Sequence, residues 1–290
     1  MGSKLAQARC VSRGDADCMT DIYGTLKEQA LKKTAGFADD DFIIRGLWKI
    51  DLAFRPNVHE RTFRYAFLVS QTVGQGSCYC DRELVIDDSL IGRDARELIT
   101  EQDCYSISVL DSIYASIPRH PCKVHELRGN SIEKTVERNE ILLEEVKHTL
   151  RSVHPKAGKA CILNVGVLGN LIKGLTGEGY SVIATDLDDG ILGKSVHGVT
   201  IEHGSETYRY IKDADVAVIT GMTLATDAVG HIVDLCKEHG TKIIMFAETG
   251  ANFGEEYCQT IGIDAVVSEP FPFYIFQGVT TIEIHRRQDD

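Results

Sequence analysis

The sequence predicts an α/β chain with an open, mostly parallel sheet in its C-terminal half and a smaller α+β domain before it. Three observations predict this. The stretch Cys161–Asp188 reads as strand, glycine turn, helix, glycine stop and a second strand ending in acid, the opening βαβ unit of such a sheet. Apolar runs of strand length then alternate with amphipathic helical runs to the C-terminus, the rhythm of parallel strands joined by right-handed crossovers. With 290 residues the chain is long enough for two cores.

In the N-terminal half, residues 1–16 are polar and carry no apolar signal core. Ile22, Leu26 and Leu31 fall near helical spacing after Thr20 or Asp21 as N-cap. Residues 42–54 and 63–70 read as strands, the second with Phe63, Tyr65, Phe67 and Val69 on one face, and 55–61 as the turn between them. Gly74–Asp81 is extended, which puts Cys78 and Cys80 on one side. Short and longer helices follow at 94–100 and 106–117. Ser131 is the expected cap of a helix with the stripe Ile132, Val136, Leu143, Val146 and Leu150. Residues 154–159, HPKAGK, are the expected hinge, giving domains 1–153 and 154–290.

In the C-terminal half, Ile162, Leu163 and Val165 form the first strand, Gly166 and Gly169 its turn, and Leu171, Ile172 and Leu175 the stripe of the next helix. Residues 182–184 lead as a strand to Asp186. A helix at 205–211, a strand at 215–220 and a helix from Thr226 or Asp227 to a stop at Gly240 come next. A strand at 242–247, a helix capped by Asn252, a strand at 264–267 and a closing edge strand at 279–284 complete the pattern. His231 lies off the apolar face of its helix and is expected to be exposed.

The formal net charge of −12 argues against a nucleic-acid backbone or an anionic membrane surface as partner. No run approaches the roughly 20 apolar residues of a membrane span. Nine cysteines scattered without a framework fit reduced thiols, so a cytoplasmic location is expected.

If the sheet is parallel, its turns converge on one carboxyl edge, where such sheets bind ligands. Asp186 lies 20 residues after Gly166, the place of an acid that accepts a ribose hydroxyl. The dinucleotide pattern GxGxxG is broken, which disfavours a diphosphate cofactor, and the TDLDDGIL tail is similar to the acidic loop of S-adenosylmethionine-dependent enzymes. The cofactor-binding residues expected are Gly166, Gly169, Asn170, Asp186, Asp188, Thr220 and Thr223. Glu248, directly after a buried strand, is the candidate general base or amino-group anchor. Tyr274 is the candidate donor or adenine platform, with an alternative in which Phe271, Phe273, Tyr274 and Phe276 cover a sheet edge or a dimer seam. Cys78 and Cys80 are candidate ligands for a soft metal, with His120, Cys122 and His125 as further donors, although no spacing matches a zinc pattern. Buried, idle thiols are the alternative. His197 and His203 flank the third strand and could also pair on a metal.

LIGRDAREL at 90–98 followed by SISVLDSIYASI, together with the VITG-x-TL turn at 218–224, resembles the heavy-metal chelation domain family. That resemblance implies a Rossmann-like C-terminal sheet and an enolase-N-terminal-like N-terminal domain. The chain departs from the family pattern at Ala225–Asp227 and Glu248–Gly250, both at strand ends, so a different substrate is expected. The leading expectation is an enzyme that binds S-adenosylmethionine or a related adenosine-containing ligand, possible as a homodimer, and transfers a group to a small amino-acid-derived or metal-chelating metabolite. The alternatives are a non-catalytic protein that handles a transition metal and an NAD-dependent oxidoreductase.

Overall fold

The computed structural model describes residues 20–54 and 63–288. The expectations for residues 1–16 and for the turn at 55–61 lie outside the described residues. The first half holds α1 (Ile22–Lys33), β1 (Gly46–Phe54), β2 (Phe63–Gln71), β3 (Gln75–Tyr79), α2 (Ala95–Leu98), α3 (Cys104–Tyr114), β4 (Lys123–Leu127) and α4 (Ser131–Leu150). The second opens with β5 (Cys161–Val165), α5 (Gly169–Gly177), β6 (Ser181–Asp186), β7 (Ser195–Val196), β8 (Val199–His203) and α6 (Thr207–Ile211). It closes with β9 (Val216–Thr220), α7 (Met222–Ala225), α8 (Val229–His239), β10 (Lys242–Ala247), α9 (Gly254–Glu256), β11 (Ala265–Ser268) and β12 (Thr280–Arg286).

The large sheet runs β4-β12-β11-β10-β9-β5-β6-β8-β7, and the small one is an antiparallel β1-β2-β3 meander. From β8 through β6, β5, β9 and β10 to β11 every pairing is parallel. The strand order reverses between β5 and β9, and the crevice at that reversal is where open α/β sheets bind ligands. The α/β class and the Rossmann-like order expected from sequence are therefore present.

Alternation along the central strands sends Ile162, Val216, Val218, Ile244 and Phe246 to one side of the sheet, where α4 and α5 pack. Leu163, Ala217, Ile219, Ile243 and Met245 face the other side, in a core that also takes Leu26 of α1 and Leu110 of α3. That core joins residues from both halves of the chain. β4 and α4 lie before the expected hinge at 154–159, yet β4 pairs with β12 and α4 packs on β9, β10 and β11.

Of the two expected caps of α1, Asp21 serves, accepting from Gly24 N, while Thr20 is turned away to Asp234 through its N–H (2.9 Å) and its hydroxyl (2.6 Å). Other local expectations are corrected. Asn130, not Ser131, caps α4 in a capping box with Glu133. The buried face of α4 is Lys134, Ile141, Leu142, Glu145 and Val146, and Ile132 and Val136 stand exposed. β12 is not the edge strand, because β4 pairs outside it. Asn252 caps no helix: its N–H donates to Asp111 and its side-chain amide to Gln75 O and Asp111 O. His231 is half-buried, its ring 4.4 Å from that of Tyr208.

Candidate functional site

The turn after β5 is held by its own side chains. Gly166 has φ +79°, and a Cβ there would come within 2.6 Å of Thr220 Oγ1, so glycine is required both by conformation and by the packing of Thr220. Buried Asn164 accepts from Leu168 N (3.0 Å) and donates to Gly166 O (3.0 Å). Asp186 points at the bend as expected: one carboxylate oxygen accepts from Val167 N and the other from Asp188 N, both at 2.8 Å. A ribose would therefore meet a carboxylate whose two oxygens already serve the backbone. Asp188 in turn accepts from Gly190 N.

α5 starts at Gly169 with no side chain capping it, and Asn170 is exposed. The N–H groups of its first turn are thus directed toward the crevice side of the helix without a side-chain acceptor. Thr220 is 8% exposed, and among the described residues no partner is found for its hydroxyl. Thr223 spends its hydroxyl on Thr220 O (2.8 Å), closing the start of α7 instead of facing the crevice.

The ends of β10 and β11 carry a charged cluster. Arg138, from α4, donates to Glu248 Oε1 (2.8 Å) and Glu269 Oε2 (3.0 Å). Its guanidinium lies 3.9 Å from the centre of the Tyr274 ring and 5.1 Å from that of Phe246. Glu269 is fully buried and also accepts from Tyr274 N. Lys134, one turn before Arg138, anchors the following loop through Phe276 O (2.8 Å) and Thr280 Oγ1 (3.0 Å). Burial pushes the Glu248 carboxyl up, Arg138 opposes it and the Glu269 charge adds to it. Burial likewise raises the Tyr274 phenol. Glu248 thus has the environment expected of a carboxyl that can take up and release a proton near neutrality, and Tyr274 serves as a platform for Arg138.

The small sheet docks on the same edge. Ser77 Oγ donates to Glu248 O (2.7 Å), Tyr79 N to Thr249 Oγ1 (2.8 Å) and Gly250 N to Ser77 O (3.1 Å). Beneath this seam Asp111 of α3, fully buried, accepts from Ser77 N (2.8 Å) and Asn252 N (2.9 Å). Burial raises its carboxyl to about 7 against the pull of those two donors. The Phe67 ring of β2 packs 4.8 Å from that of Phe273, and Tyr79 stands near Asp186 and Asp188, whose charges join burial in raising its phenol.

Cys78 and Cys80 do point to one side of β3, but into apolar packing beside α3 and Cys104. Burial raises all three thiols, Cys80 to about 12 and Cys104 to about 11, and a protonated thiol is a poor metal ligand. His120 and Cys122 line a cavity of about 310 Å³ with Glu255 and His285, away from the crevice. His125 is not part of that cavity, and its Nε2 is buried without a partner. His203 spends Nδ1 on Ser205, and His197 sits in a turn at φ +48°. Among the described residues no group of three or more His, Cys, Asp or Glu is arranged to hold a metal ion.

The strand-end residues expected from sequence therefore share one edge, while Arg138, Glu269 and Asp111 were missed. Arg138 left no signal in the sequence, since the stripe read there, Ile132, Val136, Leu143, Val146 and Leu150, is not the buried face on which it lies.

A family model described as "Putative heavy-metal chelation" (DUF364) matches residues 151–249. The search of curated proteins finds no match. A solved structure of a DUF364 protein of unknown function from Desulfitobacterium hafniense DCB-2 is similar at 11% identity with a TM-score of 0.50, over 90% of this chain and 99% of that one. A second DUF364 protein of unknown function, from Pyrococcus horikoshii, is similar at 12% identity and a TM-score of 0.49, over 85% and 86%. At these identities the likeness concerns the fold alone. The matched segment, 151–249, supplies β5 through β10 and three of the strand-end turns described above.

Proposed function

We propose that this protein binds a small, polar, metal-chelating metabolite in the crevice at the carboxyl ends of β5, β9 and β10. The donor set supports the reading. The crevice edge offers hydroxyls, carboxylates and helix N–H groups, whereas Cys78 and Cys80 are buried and burial raises their thiols and that of half-buried Cys104. A transition metal would thus come held by its own chelator, and the protein would grip the chelator's polar groups. Asp188, Thr220 and Glu248 are the residues proposed to do so, with Arg138 fixing Glu248. The 1–153 and 154–290 halves would act together, since β3 roofs the loop at 248–250.

Calorimetry with Ni²⁺ alone, nickel citrate and nickel histidine tests this. Saturable binding of a complex is expected, weakened about tenfold or more in Glu248→Ala, the size of a hydrogen bond to a charged group. Absence of heat with both complexes would overturn the reading.

A second reading is the S-adenosylmethionine enzyme, with Glu248 as base. It is favoured by the placement of Asp186 against the Gly166 bend. Titration with S-adenosylmethionine and with its demethylated product separates it from the first.

A further inference from the structure

We propose that the ligand of this crevice carries a free α-amino acid group, with its carboxylate held at the start of α5 and Thr220 and its ammonium held at Glu248. The inference rests on the crevice-binding reading above and names the chemical class that the site takes.

Two independent features mark the carboxylate end. The first turn of α5 has no side-chain cap and no acidic residue, so its N–H groups and the positive end of the helix dipole suit an anion. Thr220 is more than nine-tenths buried, its Oγ1 is aimed at the glycine turn that opens α5, and no described group satisfies it. The hydroxyl keeps access to the crevice while the rest of the side chain is packed, which leaves it free to bond a ligand oxygen. Asp186 takes only the N–H groups of Val167 and Asp188, so the first-turn N–H groups of α5 are left unclaimed by it.

The ammonium end is Glu248. By strand alternation Thr220 and Glu248 both point to the α4 side of the sheet, like Val218 and Phe246. Thr220 is the register partner of Phe246, so Glu248 lies one strand over and two residues on. Strand spacing of about 4.8 Å and a rise of about 3.3 Å per residue separate the two Cα atoms by about 8 Å. A carboxylate and an ammonium on one carbon, each making a hydrogen bond of about 2.9 Å, have a reach on the same scale as this Cα separation. A dicarboxylate suits the site less well, because its second anion would meet Glu248 with Glu269 behind it.

The test starts with a panel of L-α-amino acids titrated into the full-length protein. The tightest binder is retested as its carboxamide and as its N-acetyl derivative. Each derivative is expected to bind about tenfold more weakly or worse, one charge-assisted hydrogen bond being lost in each. Thr220→Val should close the gap between the parent and the carboxamide, and Glu248→Gln the gap between the parent and the N-acetyl derivative, as a pairwise cycle requires. Derivatives that bind as well as the parent, or gaps that persist in the variants, overturn the inference. Nickel citrate binding without any amino acid binding would also overturn it while leaving crevice binding in place; no binding by any probe would remove both.

Discussion

Asp111→Asn is the sharpest perturbation the fold offers, because one buried carboxyl holds α3, β3 and the loop after β10 together. Asp111 is 1% exposed, and its folded-state value of about 7 stands above the ordinary 3.8. Between those values the folded protein keeps a proton that the unfolded chain has released, so stability falls as pH rises through this window and levels off above it. About three pH units at roughly 1.36 kcal/mol each give about 4 kcal/mol as the upper size of the effect. Asparagine cannot ionise; its Oδ1 can accept from one of Ser77 N and Asn252 N, and its amide nitrogen leaves the other N–H without an acceptor. At pH 5 the variant should therefore lie within about 1–3 kcal/mol of the parent, the cost of one imperfect buried hydrogen bond. Its relative stability should improve steadily up to pH 8. Urea unfolding of both proteins from pH 4.5 to 8 measures this, since other titrating groups cancel in the difference. A constant difference, or a variant that loses ground as pH rises, would refute the reasoning and mean that the two backbone donors outweigh burial.

Arg138→Met should cost about 3–5 kcal/mol and lower the melting temperature, because Glu248 and Glu269 would be left in the interior without their cation; calorimetric melting reads it. Gly166→Ala should cost about 1–3 kcal/mol through the left-handed backbone and the Thr220 contact, and adding Thr220→Ala, which removes Oγ1 and Cγ2, should recover only the contact share. His197→Gly should stabilise by about 0.5–1 kcal/mol, since His197 holds φ +48° in the two-residue β7–β8 turn before Gly198; urea midpoints check it.

What could be read from the sequence was local. Gly166, the α5 stripe and Asp186 lie within one βαβ unit, so spacing alone placed the acid against the bend. The alternating strands and helices likewise carried the parallel order. Contacts that close over long sequence separations left no such trace. Arg138 reaches Glu248 across 110 residues, and in a helix rich in glutamate it reads as one more solvated charge. The α4 stripe was misassigned for a related reason: Ile132 and Val136 are apolar but exposed, while Lys134 and Glu145 are buried because Thr280, Phe276 O and Arg286 satisfy them. β4 was hidden because its Lys, His and Glu dilute any alternation, and it is a strand by virtue of pairing with β12. The thiols of Cys78 and Cys80 were correctly placed on one side; that this side is packed by α3 depends on Gly76, whose missing Cβ lets the helix backbone come close.

Because β4 caps the outer flank of β12 and α4 roofs three neighbouring strands, cutting the chain at the 154–159 linker would not release a self-sufficient C-terminal fragment. Such a fragment would leave the outer edge of the seven-residue strand Thr280–Arg286 unpaired, a template for intermolecular strand pairing, and bare the apolar underside of Phe246 and Val267 to water. Expression of residues 154–290 alone should therefore yield insoluble material, and supplying the first half in trans should restore solubility.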